Sequence, residues 1–190
     1  MPIILFIGLY GTSRSRGVEN LILSVPYLDE GVLAFVSWGS LEDELKALAR
    51  EQSLTDRVFF TEPVLPSEVV GYITSASVGV VTPLRVSFNH YYALPNKIFD
   101  YINAGLPVVT SNFPALRAVV EGYHLGKICD PEDPRDIAAA INWVLADKDR
   151  YEELKRNALE AAKVFNWENE SKKLLDVYER LDSGKDGSAV

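Results

Sequence analysis

SFNHYYALPNKIFDYINAGLPVVTS, residues Ser87 to Ser111, packs a polar loop, an unusual helix start and a buried strand into one short stretch. Pro95 suits the first position of a helix, and Ile98, Phe99 and Ile102 give an apolar stripe at helical spacing until Gly105 stops it. Asn96, Asp100 and Asn103 form the opposite stripe. Leu94 cannot cap this helix, so its first N–H groups lack a side-chain acceptor, and Lys97 places a cation in the first turn, where the dipole disfavours it. An anion bound there resolves both anomalies; the alternative is a surface helix capped by water, with a solvated lysine.

Outward from this stretch, short apolar runs alternate with helical patterns. Ile3 to Gly8 reads as a buried strand feeding a glycine-rich loop, Gly8-Leu9-Tyr10-Gly11-Thr12-Ser13-Arg14-Ser15-Arg16-Gly17. A helix is expected from Val18 to Leu28, a second strand over Val32 to Ser37, and a helix to Gln52 opened by a capping box of Ser40 and Asp43. Arg57 to Phe60 is a third strand, followed by a helix opened by Pro66; Val78 to Val81 is a fourth and Leu106 to Thr110 a fifth. Helix Pro114 to Glu121 and strand Leu125 to Cys129 follow, then helices Pro134 to Ala146, Arg150 to Val164 and Trp167 to Leu181. Strands separated by helices predict an α/β fold, a doubly wound Rossmann-like parallel sheet of about six strands with helices on both faces. In such a sheet ligands bind beyond the carboxyl ends of the strands, which selects the loops holding Gly11 and Arg16, Trp38 and Gly39, Pro63 and Val64, and Ser87 to Leu94.

Composition narrows the chemistry. The chain has 190 residues, 47% of them hydrophobic, and a formal charge of −8, which argues against a nucleic-acid partner. No apolar run is long enough to span a membrane, so a cytoplasmic location is expected. One cysteine, Cys129, and two histidines, His90 and His124, make a zinc centre a poor fit. The first loop departs from the dinucleotide fingerprint G-x-G-x-x-G, and a G-x-x-x-x-G-K-[ST] phosphate loop is absent. Arg14, Arg16 and Lys97 are the candidate cations for an anionic small ligand; the alternative is glycines serving only a tight turn. Asp100, one turn into the central helix, can accept both hydroxyls of a ribose, or can simply be an acid favoured near a helix start. His90 is a candidate base in the central loop, and Cys129 reads as a packed thiol.

Taken in order, these pieces resemble the C-terminal, donor-binding domain of the family 4 type (group 1) glycosyltransferases, which have a two-domain GT-B fold. The likeness rests on Gly8 to Gly17, Phe59 to Val64, Asn89-x5-Pro95-Asn96-Lys97-x2-Asp100-Tyr101, Ala104 to Val109 and Asn166-Trp167-Glu168, and it spans nearly the whole chain. It implies one half of a GT-B fold, in which residues 1–165 bind a nucleotide sugar, helix 166–183 docks towards a second domain and 184–190 is a flexible tail. It implies a retaining transferase that moves a sugar from a UDP- or GDP-type donor to an acceptor in polysaccharide or glycoconjugate synthesis. The donor is then a substrate, with no cofactor and no metal. The other partner is an acceptor-binding N-terminal domain or subunit, through which alone the chain would meet a membrane.

Carried over residue by residue, Arg16 and Lys97 face the diphosphate, Asp100 the ribose, Val64 the base edge, and Asn89 or Tyr92 the sugar. Gly11, Thr12, Trp38, Gly39, Pro63, Leu94, Pro95 and Asn96 complete the expected contacts; Arg16, Lys97, Asn89 and Tyr92 are the catalytic candidates. The family's Glu-x7-Glu pattern is altered, with Tyr92 in the first position and Asp100 in the second, and Leu9 stands where an arginine is usual. The rival readings are a nucleotide-sugar epimerase half and a non-catalytic nucleotide-binding or interaction module.

Overall fold

The computed structural model describes residues 1–10, 14–62, 64–65 and 67–182, without the side chains of Arg14 and Asp182. Six parallel strands form one sheet: β1 (Ile3–Ile7), β2 (Val32–Val36), β3 (Val58–Thr61), β4 (Val78–Val81), β5 (Val108–Ser111) and β6 (Gly126–Cys129). Their order is β3-β2-β1-β4-β5-β6, so the chain winds one way from β1 to β3, then crosses over and winds the other way. β1 is apolar throughout because both faces of the sheet are covered. Its alternation sends Ile4 and Phe6 to one core and Leu5 and Ile7 to the other.

The helices are α1 (Val18–Ser24), α2 (Glu42–Glu51), α3 (Val69–Ile73), α4 (Phe88–Tyr92), α5 (Lys97–Asn103), α6 (Pro114–Gly122), α7 (Pro134–Leu145), α8 (Lys148–Ala162) and α9 (Trp167–Asp182). The first core joins β1 to α1, α2 and α7; the second joins it to α5, α6 and α8. The doubly wound sheet expected from the sequence is therefore present, and several element boundaries move for local reasons. α1 stops at Ser24, and Val25–Tyr27 tightens into a 3-10 turn around Pro26, which has no N–H to continue the helix. The expected capping box does not form: α2 begins at Glu42 with Leu41 at the cap position and no side-chain cap hydrogen bond.

α8 starts at Lys148 rather than Arg150, because the Asp147 carboxylate accepts the Arg150 N–H at 2.9 Å and fixes the entry. Between β4 and α5, where only a loop was expected, α4 forms. Ser87 Oγ caps it, accepting the His90 N–H at 3.3 Å and lying 2.8 Å from His90 Nδ1. Pro66, expected to open α3, lies outside the described residues, and that helix starts at Val69. The expected tail, 184–190, lies outside them too.

The crossover between β1 and β4 is where the central helix is anchored. β1 and β4 pair only at Ile4–Val78 and Leu5–Gly79, and beyond that point the strands part. The Tyr101 hydroxyl enters the gap, donating to Leu5 O at 3.0 Å and accepting the Ile7 N–H at 3.1 Å. It thus supplies side-chain partners to backbone groups that the ladder leaves unpaired. Gly79 makes room, since a Cβ there would sit 2.4 Å from the Tyr101 ring. Burial holds the Tyr101 phenol well above its ordinary pKa, so it remains a donor.

Candidate functional site

α5 leaves this anchor with its first turn raised over the carboxyl end of β1. The helix begins at Lys97, two residues after the expected start at Pro95, because Pro95 and Asn96 form a tight turn in which Pro95 O accepts the Ile98 N–H at 3.1 Å. It ends where Gly105, at φ 69°, lets the Leu106 N–H reach back to Tyr101 O at 2.9 Å. At seven residues α5 is too short for its dipole to dominate, so the positive potential at its start comes chiefly from side chains. Asn96 makes no capping hydrogen bond there, in line with the uncapped start expected from the sequence.

A cavity of about 350 Å³ opens at this point. Ile7, Val36, Val64 and Val69 give it apolar walls, the half-exposed Trp38 stands at its rim, and Arg16, Asn96, Lys97 and Asp100 supply the polar groups. That volume lies within the range of small-ligand sites, and its place beside the β1/β4 crossover is where a doubly wound sheet binds ligands. The first loop is fixed against the β4 loop at Gly17, which has φ 69°. A Cβ on Gly17 would stand 2.1 Å from Thr82 O, and Ser15 O accepts the Leu84 N–H at 2.8 Å. These contacts hold Arg16 at the cavity wall.

The Lys97 ammonium does not point into solvent. Its Nζ lies 3.5 Å from the centroid of the buried Phe6 ring and packs against Gly8, where a Cβ would stand 3.7 Å from it. Burial first, and then the neighbouring Arg16 guanidinium, push the Lys97 pKa down to about 7, while Asp100 pulls the other way. Asp100 is itself held above the usual carboxylate range by burial, which Lys97 only partly offsets. Were these two a self-sufficient ion pair, each would be driven towards its charged form. Desolvation prevails at both, so neither charge is fully compensated by the other.

Of the residues expected from the sequence, Arg16, Trp38, Val64, Pro95, Asn96, Lys97 and Asp100 line this one cavity. Gly39, Asn89, Tyr92 and Leu94 are not among its lining residues. Gly39 turns the chain into α2, its carbonyl accepting the Glu42 N–H at 3.3 Å, while Asn89 and Tyr92 lie on exposed positions of α4. Gly11, Thr12 and Pro63 lie outside the described residues, as does the Arg14 side chain. His90, considered as a base, bonds to Ser87 at the start of α4. Cys129 is buried, and burial raises its thiol pKa, as expected of a packed thiol. Phe6, Gly8 and Tyr101 position Lys97 and were not singled out for that role by sequence. Their relation depends on contacts across the sheet, which no local spacing encodes. Among the described residues no cluster of three or more His, Cys, Asp or Glu side chains is placed to hold a metal ion, and no helix is long and apolar enough to cross a membrane.

Comparison with known proteins bears on these features. The family described as "Glycosyl transferases group 1" matches residues 1–147. The D-inositol 3-phosphate glycosyltransferase of Xylanimonas cellulosilytica is 30% identical over 182 residues, covering 93% of this chain and 42% of the relative. The protein of that name from a Nocardioides species is 32% identical over 177 residues, covering 87% of this chain and 37% of its own length. Among solved structures, sucrose-phosphate synthase from Thermosynechococcus elongatus superposes with a TM-score of 0.85 at 26% identity, over 96% of this chain and 46% of that one. Anabaena HepE in complex with UDP superposes with a TM-score of 0.78 at 16% identity, over 94% and 49%, which shows the fold alone. The chain thus spans less than half the length of these relatives. With its crossover cavity and six-stranded sheet, it belongs to the group 1 glycosyltransferase family and has the architecture of one half of a GT-B fold.

Proposed function

We propose that this chain is the nucleotide-sugar half of a retaining, metal-independent glycosyltransferase, and that transfer takes place in a cleft shared with a second, acceptor-binding domain or subunit. The observation that carries the reading is the gathering of Arg16, Lys97 and Asp100 in one apolar-walled cavity beside the β1/β4 crossover. Lys97 and Arg16 crowd each other beside a partly buried Asp100, and a bound diphosphate relieves the crowding. The relative solved with UDP supports the ligand class. Asp100, one helical turn from Lys97, accepts from the ribose hydroxyls; the apolar walls and Trp38 take the base, whether that of a UDP- or a GDP-type donor.

In the proposed transfer the bond between the anomeric carbon and the diphosphate oxygen breaks, and its electron pair leaves with the phosphate, where Arg16 and Lys97 stabilise the new charge. The acceptor oxygen forms its bond to the same carbon and gives its proton to the departing phosphate. Asn89 and Tyr92, on the α4 segment that precedes Pro95 at the cavity wall, are assigned to the sugar. The two cations take the place that a bridging metal has in other phosphate chemistry.

The exposed apolar residues of α9, among them Trp167, Leu174, Tyr178 and Leu181, are assigned to docking with the second half. Because that half brings the acceptor, the chain by itself binds donor and does not transfer sugar. Calorimetric titration with UDP, GDP and ADP, and product analysis with and without the second half, test the reading. Absence of binding to all three nucleotides refutes it. A non-catalytic binding module is the one other reading with an observation in its favour, since Tyr92 replaces an acid and is 58% exposed. Lack of transfer by the complete assembly would select it.

A further inference from the structure

Phe6 lies behind the cavity wall rather than in it. β1 sends its ring into the first core, where Tyr10 stacks on it at 6.3 Å with planes 9° apart and Phe35 leans on it at 5.6 Å. Tyr10 and Phe35 are themselves fully buried, so the Phe6 ring is held in place. The Lys97 ammonium sits on this fixed ring, with Nζ 3.5 Å from its centroid. A lysine that only covered apolar surface would lay its stem on the ring and keep its charged end in water. Here the charged end itself is on the ring, and a Cβ on Gly8 would stand 3.7 Å from both Cε and Nζ.

Among the described residues no carboxylate comes within ion-pair distance of this ammonium. The charged groups that act on it are Arg16, from the turn after β1, which repels it, and Asp100, from its own helix, which attracts it. β4, α3 and α8 also pack around α5 and add no further charge at Lys97. The negative face of the Phe6 ring is therefore the nearest favourable partner of the Lys97 charge.

We propose that Phe6 is a positioning residue for the transfer: the face of its ring keeps the Lys97 ammonium charged and seated where the donor diphosphate meets it. The proposal rests on the reading of this chain as the donor half. Burial and Arg16 both favour the neutral amine, which offers a phosphate no charge. The ring opposes them, because a desolvated aromatic face stabilises a cation and not a neutral amine. Its contribution to binding is thus confined to the range in which the free protein would otherwise shed the proton, above about pH 7. Below that range Lys97 is charged with or without the ring. A residue that merely filled space would matter equally at every pH.

The test compares the full chain with two variants. Phe6→Leu removes the aromatic face, and pentafluorophenylalanine in place of Phe6 keeps the outline of the ring while reversing its quadrupole. Each is titrated by calorimetry from pH 5.5 to 9 with UDP-glucose, or GDP-mannose if guanine is the base taken, and with the matching nucleoside. A nucleotide sugar is used because its diphosphate, unlike the terminal phosphate of UDP, does not titrate near neutrality. Affinities are read as the ratio of variant to parent, so that the titration of Asp100 cancels. Parent and variants should bind the nucleotide sugar alike at pH 6, and the variants about 2- to 30-fold more weakly by pH 8 to 9, with nucleoside affinity unchanged throughout. In ligand-free protein the Lys97 13Cε resonance should titrate about 0.4 to 1.5 pH units lower in both variants. Weakening that is equal at all pH values, a matching loss for the nucleoside, or an unmoved Lys97 midpoint overturns the proposal. Failure of the donor reading is distinguishable, because it shows as absent nucleotide-sugar binding by the parent, and the assignment of Phe6 to the transfer then falls whatever the Lys97 titration shows.

Discussion

Replacing Lys97 by methionine should make the protein more stable and a poorer ligand-binder at once. An unfolded chain titrates this lysine at its ordinary 10.5, whereas the folded chain holds it at about 7. Between those values the unfolded state binds more protons, so the contribution of Lys97 to stability improves as pH rises from about 7 to 10.5 and is most unfavourable below 7. At ~1.4 kcal/mol per pH unit the ceiling is about 5 kcal/mol; because Lys97 is half-buried and lines an open cavity, solvent screening brings the expected figure down to about 2 kcal/mol.

Methionine keeps the length and the contact with Phe6 and removes the charge. Lys97→Met is therefore expected to gain about 2 kcal/mol at pH 7, with the gain vanishing towards pH 10.5. Its affinity for UDP or GDP should fall about 10- to 150-fold, the loss of one charge-assisted contact, while affinity for the bare nucleoside stays the same. Urea denaturation of both proteins across this pH range, read as a difference so that the raised tyrosine and cysteine pKa values cancel, gives the first quantity. Calorimetry with nucleoside and nucleoside diphosphate gives the second. A variant less stable than its parent at pH 7, or equal losses for the two ligands, would refute the reasoning.

Asp100→Ala should weaken nucleoside and nucleoside diphosphate alike, which titration calorimetry resolves; a loss confined to the diphosphate would remove Asp100 from the ribose. Tyr101→Phe leaves Leu5 O and the Ile7 N–H without their hydroxyl partner and should cost about 1 to 3 kcal/mol in denaturant unfolding. Gly17→Ala forces a Cβ towards Thr82 O, so nucleotide binding should fall even where circular dichroism shows the sheet intact. Donor binding should be unchanged in EDTA, and magnesium-restored binding would show that Arg16 and Lys97 do not suffice.

The sheet was legible because β1, β2 and β4 are short, continuous apolar runs, and because Gly105, Pro114 and Asp133 mark helix ends; β4 was read to the residue at Val78–Val81. Cap chemistry was less legible. Ser40 and Asp43 have the spacing of a capping box, yet the cap position falls one residue later, at Leu41, and Asp147 sets the start of α8 through a bond that spacing alone did not reveal. At the candidate site, Lys97 stood out as a cation in a helix start, with Asp100 one turn further as a candidate acceptor. The reason for their strain did not, because it depends on Phe6 and Gly8, some ninety residues away in sequence and in contact only through the crossover. Gly79 and Tyr101 show the same limit: a small residue on one element matters because of a large one on another.

The hydroxyl of Tyr101 also makes one amide unusual. Ile7 donates its N–H to a side chain carried by α5 rather than to a neighbouring strand, so the exchange of that single proton with solvent reports whether α5 is seated. Ile7 lines the cavity as well. A nucleotide that steadies α5 should therefore slow exchange at Ile7 more than at Leu33, whose N–H is held by Arg57 O within the sheet at 2.8 Å. The molecule in this way carries its own occupancy gauge, readable by NMR without a label on the ligand.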